Sequence, residues 1–324
     1  MSFGGAISHK IGFALAALAI IVATVYSFFA SDLARARARV TGRSQKIETA
    51  LGTIEYATVG KGNPVLVIHG AAGGFDQGLD MTGALAQHGY ELIAPSRFGY
   101  LASQPRTNIS VAAQADAHIQ LLDHLGVGKV AIVAISAGAW SALEFASRYP
   151  DRCQALVLII PAKQLPPQTR NYGGAIARAM FDSDFITWAA LKLTPIFPDT
   201  MDAIMLGTNA GVVQTSTPAE KARVQEVLDH LLPMSSRSAG MNFDIQTAAS
   251  PDPVSLEKIS CPVLAISAED DLFGTASRAR QIAAAVPQCR NVIYPTGGHA
   301  LAGRHDEILG EVASFLSSGA AHSP

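Results

Sequence analysis

The chain has 324 residues, of which 49% are apolar and 15% charged, so disorder is excluded for most of its length and one large domain or two modest ones are expected. A net charge of −2, with no long basic stripe, argues against nucleic acid as a partner. Cys153, Cys261 and Cys289 are far apart and show no CxxC spacing, so neither a disulfide framework nor a zinc site is predicted.

The first predicted element is an apolar helix at residues 11–30, which carries no charged side chain. At roughly 1.5 Å per residue it is about as long as a bilayer's hydrocarbon core is thick, so a retained membrane anchor is expected. The alternative is a cleaved signal peptide, which would leave a periplasmic or secreted protein. Cleavage after Ala30 would place Phe28 where a small residue is favoured. Residues 1–10 are predicted to be a tail and residues 31–50 a basic linker.

Basic residues are unevenly distributed around this apolar segment. Lys10 precedes it, whereas the residues that follow include Arg35, Arg37, Arg39, Arg43 and Lys46. The positive-inside rule then predicts a single-pass protein whose folded domain is cytoplasmic. The same side chains are candidates for contact with anionic headgroups, and the alternative is a solvated linker helix without lipid preference.

Beyond residue 50, short apolar runs alternate with helical patterns. Strands are predicted at 53–60, 65–68, 91–94, 129–135, 155–160, 262–267 and 291–294, and helices at 76–88, 110–125, 137–148, 275–286 and 305–316. This alternation predicts a doubly wound α/β fold with a mostly parallel central sheet flanked by helices. The core would comprise residues 51–160 and 254–318, followed by a tail at 319–324.

Residues 161–253 interrupt the alternation, because helical patterns and prolines dominate there and no strand is evident. An insertion of this length predicts a helical cap over the carboxyl edge of the sheet. Its methionines and aromatic residues either line an apolar pocket or pack the cap against the core.

The strongest local motif is Ala134-Ile135-Ser136-Ala137-Gly138, which lies between a predicted strand and a predicted helix. A serine in this context is typical of a nucleophile elbow, a sharp turn that lifts the hydroxyl above the sheet edge. The usual pattern has glycine where this chain has Ala134. The alternative is an ordinary serine at a helix N-terminus.

A glycine-rich loop at residues 69–74, with the sequence HGAAGG, follows an earlier strand. Such a loop can supply one of the two backbone N–H groups that stabilise the oxyanion of a tetrahedral intermediate, and the residue after the nucleophile supplies the other. The expected donors are Ala71 and Ala137. A phosphate-binding loop is disfavoured because neither GxGxxG nor a P-loop lysine is present.

Two acidic residues and a histidine complete the catalytic candidates. Asp270 and Asp271 follow one predicted strand and His299 follows the next, so both lie at the same sheet edge as Ser136. A serine nucleophile needs a histidine base, and the base needs a carboxylate partner. Spacing alone leaves Asp270 and Asp271 both open.

These motifs resemble the α/β-hydrolase superfamily over residues 53–316, through HGAAGG, PSRFGY at 95–100, AISAG, AEDDLFG and GGH. The resemblance implies Asp271 as the catalytic acid, because AEDD matches the family's GxxD with alanine for glycine. The 28 positions between Asp271 and His299 are similar to the spacing in meta-cleavage-product hydrolases. The resemblance also implies structural roles for His69, Arg97 and Tyr100.

The predicted function is hydrolysis of a carboxylic ester or related acyl bond, with Ser136 as nucleophile, His299 as base and Asp271 as its partner. No cofactor or metal is required, and the expected substrate is a small, lipophilic acyl compound. The fold alone does not separate this activity from lactonase, thioesterase, C–C hydrolase or cofactor-free haloperoxidase chemistry. A different class of function is a non-catalytic sensor that binds a ligand in the cap.

Overall fold

The structure is a computed structural model that describes residues 3–165, 179–250 and 254–320. Parts of the predicted cap and of the C-terminal tail therefore lie outside the described residues. The described helices are α1 (Phe3–Val40), α2 (Phe75–Thr82), α3 (Val111–His124), α4 (Gly138–Arg148), α5 (Asp184–Leu193), α6 (Pro198–Leu206), α7 (Ala210–Thr215), α8 (Pro218–Asp229), α9 (Ser238–Ala248), α10 (Thr275–Ala285) and α11 (His305–Ala320).

A nine-stranded sheet forms the centre of the molecule. Its strands are β1 (Gln45–Thr49), β2 (Gly52–Gly60), β3 (Asn63–Ile68), β4 (Tyr90–Pro95), β5 (Gln104–Pro105), β6 (Val130–Ile135), β7 (Cys153–Ile159), β8 (Val263–Ala268) and β9 (Cys289–Tyr294). They lie in the order β1-β2-β4-β3-β6-β7-β8-β9, and β5 pairs with β2. Pairing is parallel from β4 through β9 and antiparallel around β2. The predicted α/β fold class is confirmed.

The central strands are apolar at nearly every position because both faces of the sheet are covered. All six residues of β6 are buried, as are all six of β8. Their side chains alternate between two large apolar clusters, one on each face. Because the central strands run parallel, the loops that follow β3, β6, β8 and β9 meet at one edge of the sheet.

The structure differs from the sequence-based expectation at several elements. The helix predicted at 76–88 is divided into α2 and a 3-10 helix at Gly83–His88. Strands β1 and β5 were not predicted. The predicted tail at 1–10 is helical from Phe3, and α11 continues to Ala320.

The predicted linker at residues 31–50 is also wrong as a separate segment. Residues up to Val40 continue α1 without a break, and Gln45–Thr49 is a paired edge strand of the sheet. The linker was predicted from its basic composition, whereas its apolar positions are used for packing. Leu33 and Ala36 are both buried.

Helix α1 therefore has two parts with different surroundings. Its segment Ile11–Val40 contains a window of mean hydropathy 2.3 that is not buried at all, and by length and composition this helix can cross a membrane. A signal sequence near the N-terminus passes the same test. The last turns instead contact the folded domain. The Trp188 indole N–H donates to Asp32 Oδ2 at 2.8 Å, and Arg39 forms an ion pair with Asp76 at 2.6 Å.

Helices α5 to α9 make up the described part of the predicted cap, and in these residues its helical character agrees with the prediction. Ser183 and Thr217 begin α5 and α8 by accepting hydrogen bonds from backbone N–H groups of the first turn. Two buried ion pairs join this region to the core. Arg237 pairs with Asp76 at 2.8 Å, and Asp244 pairs with Arg97 at 2.7 Å.

Candidate active site

Ser136 occupies a sharp turn between β6 and α4. Its φ is +47°, a left-handed backbone conformation that is strained for a residue with a side chain. A Cβ at Gly138 would lie 2.6 Å from the carbonyl oxygens of Ile68 and His69, so only glycine fits there. The Ser136 N–H donates to Ile159 O at 2.9 Å. Packing and backbone pairing thus hold the strained turn, which tolerates alanine at position 134.

His299 reaches the serine from the loop after β9. Its Nε2 lies 3.1 Å from Ser136 Oγ, and its Nδ1 lies 2.9 Å from Asp271 Oδ2. The ring of Phe273 packs edge-to-face against the imidazole with centroids 4.8 Å apart. The structure therefore brings together the three side chains that the sequence assigned to catalysis.

Asp271 is almost fully buried beneath the imidazole. Besides His299, its carboxylate accepts hydrogen bonds from the Phe273 N–H at 2.8 Å and from the Thr275 hydroxyl. Burial alone would raise the pKa of Asp271, but the His299 charge and these hydrogen bonds hold it below its ordinary value. The group is therefore an acceptor at neutral pH, which favours the His299 tautomer with its proton on Nδ1.

Asp270 does not contact the imidazole. Its carboxylate accepts from the backbone N–H groups of Gly298 at 2.8 Å and Gly297 at 3.3 Å. The two neighbouring aspartates thus act on the same loop in different ways: Asp271 contacts the ring of His299, and Asp270 fixes the backbone just before it.

The glycine-rich loop after β3 passes directly beside the serine. A Cβ at Gly70 would lie 3.2 Å from Ser136 Cβ. Within the described part of the chain, the N–H groups of Ala71 and Ala137 donate no hydrogen bond. Two unpaired donors beside a nucleophile are available to a developing oxyanion.

A buried polar network holds this loop in place. The Arg97 side chain donates to His69 O at 3.1 Å and to Gly70 O at 3.0 Å, while its other N–H bonds reach the Asp244 carboxylate of α9 at 2.8 and 2.7 Å. The Tyr100 hydroxyl donates to the same carboxylate. The structural role implied for Arg97 and Tyr100 matches these contacts.

His69 is fully buried at the start of the loop. Its Nε2 accepts the Arg97 N–H at 2.9 Å, and its Nδ1 lies 2.7 Å from Gly70 O, where it must donate. Burial, followed by the Arg97 charge, holds the pKa of His69 well below its ordinary value. This histidine is neutral and structural.

A cap segment that the sequence gave no reason to select also contacts both catalytic loops. Gly207 O accepts from the Leu272 N–H at 3.0 Å and from the His299 N–H at 3.3 Å. The buried hydroxyl of Thr208 accepts from the Ala300 N–H at 2.9 Å. Residues 207–208 thus join the acid loop to the histidine loop. Their distance in sequence from both loops left no local motif to detect.

In the ranges that the structure covers, no group of three or more His, Cys, Asp or Glu side chains is arranged to hold a metal ion. The chemistry available at this edge of the sheet is that of a hydroxyl, an imidazole, a buried carboxylate and two free amide donors.

Comparison with known proteins agrees with this fold and site. The family model for the alpha/beta hydrolase fold matches residues 63–305, so the chain belongs to that family. It is an enzyme, a hydrolase of the α/β fold.

Individual relatives point the same way. The chain is 32% identical over 222 residues to the uncharacterized hydrolase YcgS of Bacillus subtilis (strain 168), covering 66% of this chain and 76% of that protein. An alpha/beta hydrolase fold protein from Nakamurella multipartita superimposes with a TM-score of 0.64 at 24% identity, over 85% of this chain and 99% of that one. A thermophilic esterase from Thermogutta terrifontis gives a TM-score of 0.62 at 22% identity, over 86% and 99%.

Proposed function

We propose that this protein is a serine hydrolase that cleaves a carboxylic ester or related acyl bond through an acyl-enzyme. The observation that carries the proposal is the hydrogen-bonded chain Ser136 Oγ to His299 Nε2 at 3.1 Å and His299 Nδ1 to Asp271 Oδ2 at 2.9 Å. Nucleophile and base within hydrogen-bond reach, with the base oriented by a third group, is the arrangement that activates a serine.

The chemistry follows from this geometry. Ser136 Oγ bonds to the substrate carbonyl carbon as its proton passes to His299 Nε2, and the negative oxygen is bound by the N–H groups of Ala71 and Ala137. The carbon–oxygen bond to the leaving alcohol then breaks, and His299 returns the proton to that alcohol. Water repeats the sequence on the acyl-enzyme and releases the acid.

Asp271 sustains both proton transfers without accepting a proton itself. Its lowered pKa keeps it ionised, so it stabilises the imidazolium that forms at each step. Losing one oxyanion donor typically costs about 10²–10³ in rate, so the loop that carries Ala71 is as important as the nucleophile.

The test is covalent labelling by a fluorophosphonate probe combined with hydrolysis of p-nitrophenyl esters of graded chain length. The wild-type protein is expected to be labelled and active, and Ser136→Ala should lose both properties while retaining its circular dichroism. A folded wild-type protein that is not labelled would support the ligand-sensor alternative.

Ser141 offers a matched control on the same helix. Its hydroxyl also lies near a histidine, with His118 Nε2 at 3.3 Å, but both residues are buried. Ser141→Ala is therefore expected to keep full labelling. If labelling followed Ser141 instead, the assignment of Ser136 as nucleophile would be refuted.

We further propose that α1 is retained as a single-pass anchor with the hydrolase domain in the cytoplasm. Its unburied apolar length supports the anchor, and the excess of arginine after residue 30 supports the orientation. Sequencing the mature N-terminus and testing protease protection in sealed vesicles examine the two parts separately. A mature chain that starts near Ser31 would contradict the anchor.

A further inference from the structure

The cap exposes an unusual number of large apolar side chains in a short stretch. Six of them form what is called here the apolar cap face: Phe185, Ile186, Leu193, Ile196, Phe197 and Ile204, with 40–64% of each exposed. Surface side chains of this kind are ordinary when scattered singly, but six within twenty residues mark an interaction site.

Helix α5 is apolar on both sides. Thr187, Trp188 and Leu191 are buried toward the protein, while Phe185 and Leu193 project from the opposite side. A surface helix of a soluble domain normally carries polar residues on its outer face. The outer face of α5 is thus suited to an apolar environment rather than to water.

The apolar cap face begins where α1 reaches the domain. The ring of Phe29 packs edge-to-face on Phe185, with centroids 5.2 Å apart, and on Trp188 at 5.7 Å. Phe29 is also the penultimate residue of the segment 11–30, which is long enough to cross the hydrocarbon core. α5 therefore lies at the level where α1 would leave the hydrocarbon.

The charges around this junction suit a headgroup region. Lys192 and Arg35 are both exposed, and each pairs with Asp32 at the same turn of α1. Long basic side chains at such a level can extend into the polar layer while their stems stay on apolar surface.

We propose that the apolar cap face lies in the interfacial layer of a phospholipid bilayer, so that the cap as well as α1 contacts lipid. The continuity of this face with α1 through Phe29 favours lipid over a second copy of the chain or a soluble protein. Helices that lie in the membrane plane bury one apolar face by roughly 5–10 Å in this way. The inference rests on the proposed anchor and is independent of the proposed chemistry.

The docked segment leads directly to the candidate active site. Helix α6 ends at Leu206, and Gly207 then accepts hydrogen bonds from the loops of Asp271 and His299. Beside it, Leu272 is 49% exposed. Lipid contact at α5 and α6 places a lipophilic ester dissolved in the bilayer within a few residues of the catalytic loops.

The test measures depth with nitroxide labels on the full chain in liposomes of phosphatidylcholine and phosphatidylglycerol. Single cysteines are introduced as Ile196→Cys, Leu18→Cys and Lys61→Cys, with Cys289→Ser removing the partly exposed native thiol. Lys61 is the matched aqueous control, because it lies in the turn before β3, at the sheet edge opposite the site. Collision with oxygen reports lipid, and collision with a nickel chelate reports water.

The label at 196 is expected to collide with oxygen at least about threefold more than the label at 61, relative to nickel, with the label at 18 deeper still. Water-like values at 196 together with a lipid value at 18 would overturn the proposal and leave the anchor intact. Water-like values at 18 would sink both. Protection of 196 from both reagents would indicate a covering protein and would also overturn it.

Discussion

The ion pair between Arg97 and Asp244 provides the most informative test of how the cap supports the oxyanion loop. Its two N–H···O contacts of 2.8 and 2.7 Å are inaccessible to water, since the side chains are only 1% and 4% exposed. Asp244→Asn removes the negative charge and turns one acceptor into a donor that faces the guanidinium. Breaking a buried pair in this way costs about 3–5 kcal/mol.

The structure favours the lower end of that range. Arg97 would still donate to the carbonyl oxygens of His69 and Gly70, so its charge would keep part of its hydrogen bonding. A cost of about 3 kcal/mol corresponds to a fall in Tm of roughly 6 °C for a domain of this size. Because the same guanidinium holds the oxyanion loop, the rate of fluorophosphonate labelling should fall as well.

The assay is thermal unfolding in detergent, followed by circular dichroism. Glu311→Gln is the matched control, because it breaks the exposed Arg290–Glu311 pair and should cost only about 0.5 kcal/mol. The double variant Arg97→Met/Asp244→Leu should recover part of the lost stability, since it leaves no unpaired charge. If Asp244→Asn unfolds within about 1 °C of the wild-type protein, the reasoning about this network is refuted.

Three further predictions concern the site and its surroundings. Asp271→Asn should lower kcat by about 10³ or more, whereas Asp270→Asn should lower it less than about tenfold, because an amide oxygen can still accept from the loop backbone; equal losses in p-nitrophenyl ester assays would contradict their different roles. Burial lowers the pKa of His118 from 6.5 to about 3, so the unfolded chain binds the proton first and stability should fall by about 1.4 kcal/mol per pH unit from pH 6.5 down toward 3. His118→Gln should flatten that slope in urea titrations, and an unchanged slope would exclude this histidine. Thr208→Val leaves the buried Ala300 N–H without its acceptor, so kcat should fall about tenfold with KM little changed; a change in Tm alone would mean that Thr208 acts only on stability.

The elements and residues that follow local rules were predictable. The central strands are buried on both faces and therefore form continuous apolar runs, which the sequence displays directly. The turn at Ser136 needs small neighbours, and the close approach at Gly138 permits only glycine, so the motif records its own geometry. Asp271 and His299 follow strand ends, which a parallel sheet brings to one edge.

Short edge strands could not be predicted in the same way. β5 has two residues and β1 has five, too few for an alternating pattern to stand out, and β1 lies in a stretch whose basic composition suggested a linker. Their pairing is decided by the neighbouring strand β2 rather than by their own residues.

By itself the sequence determined the fold class, the apolar N-terminal segment and the three candidate catalytic side chains, because each depends on residue type and short-range spacing. Only the tertiary structure decided that Asp244 supports the oxyanion loop through Arg97, that Thr208 holds the histidine loop, and that the end of α1 packs on the cap. Those contacts join residues separated by about 90 to 160 positions. A polar side chain carries no local mark of the partner that burial will give it, so such pairs exist only once the chain has folded.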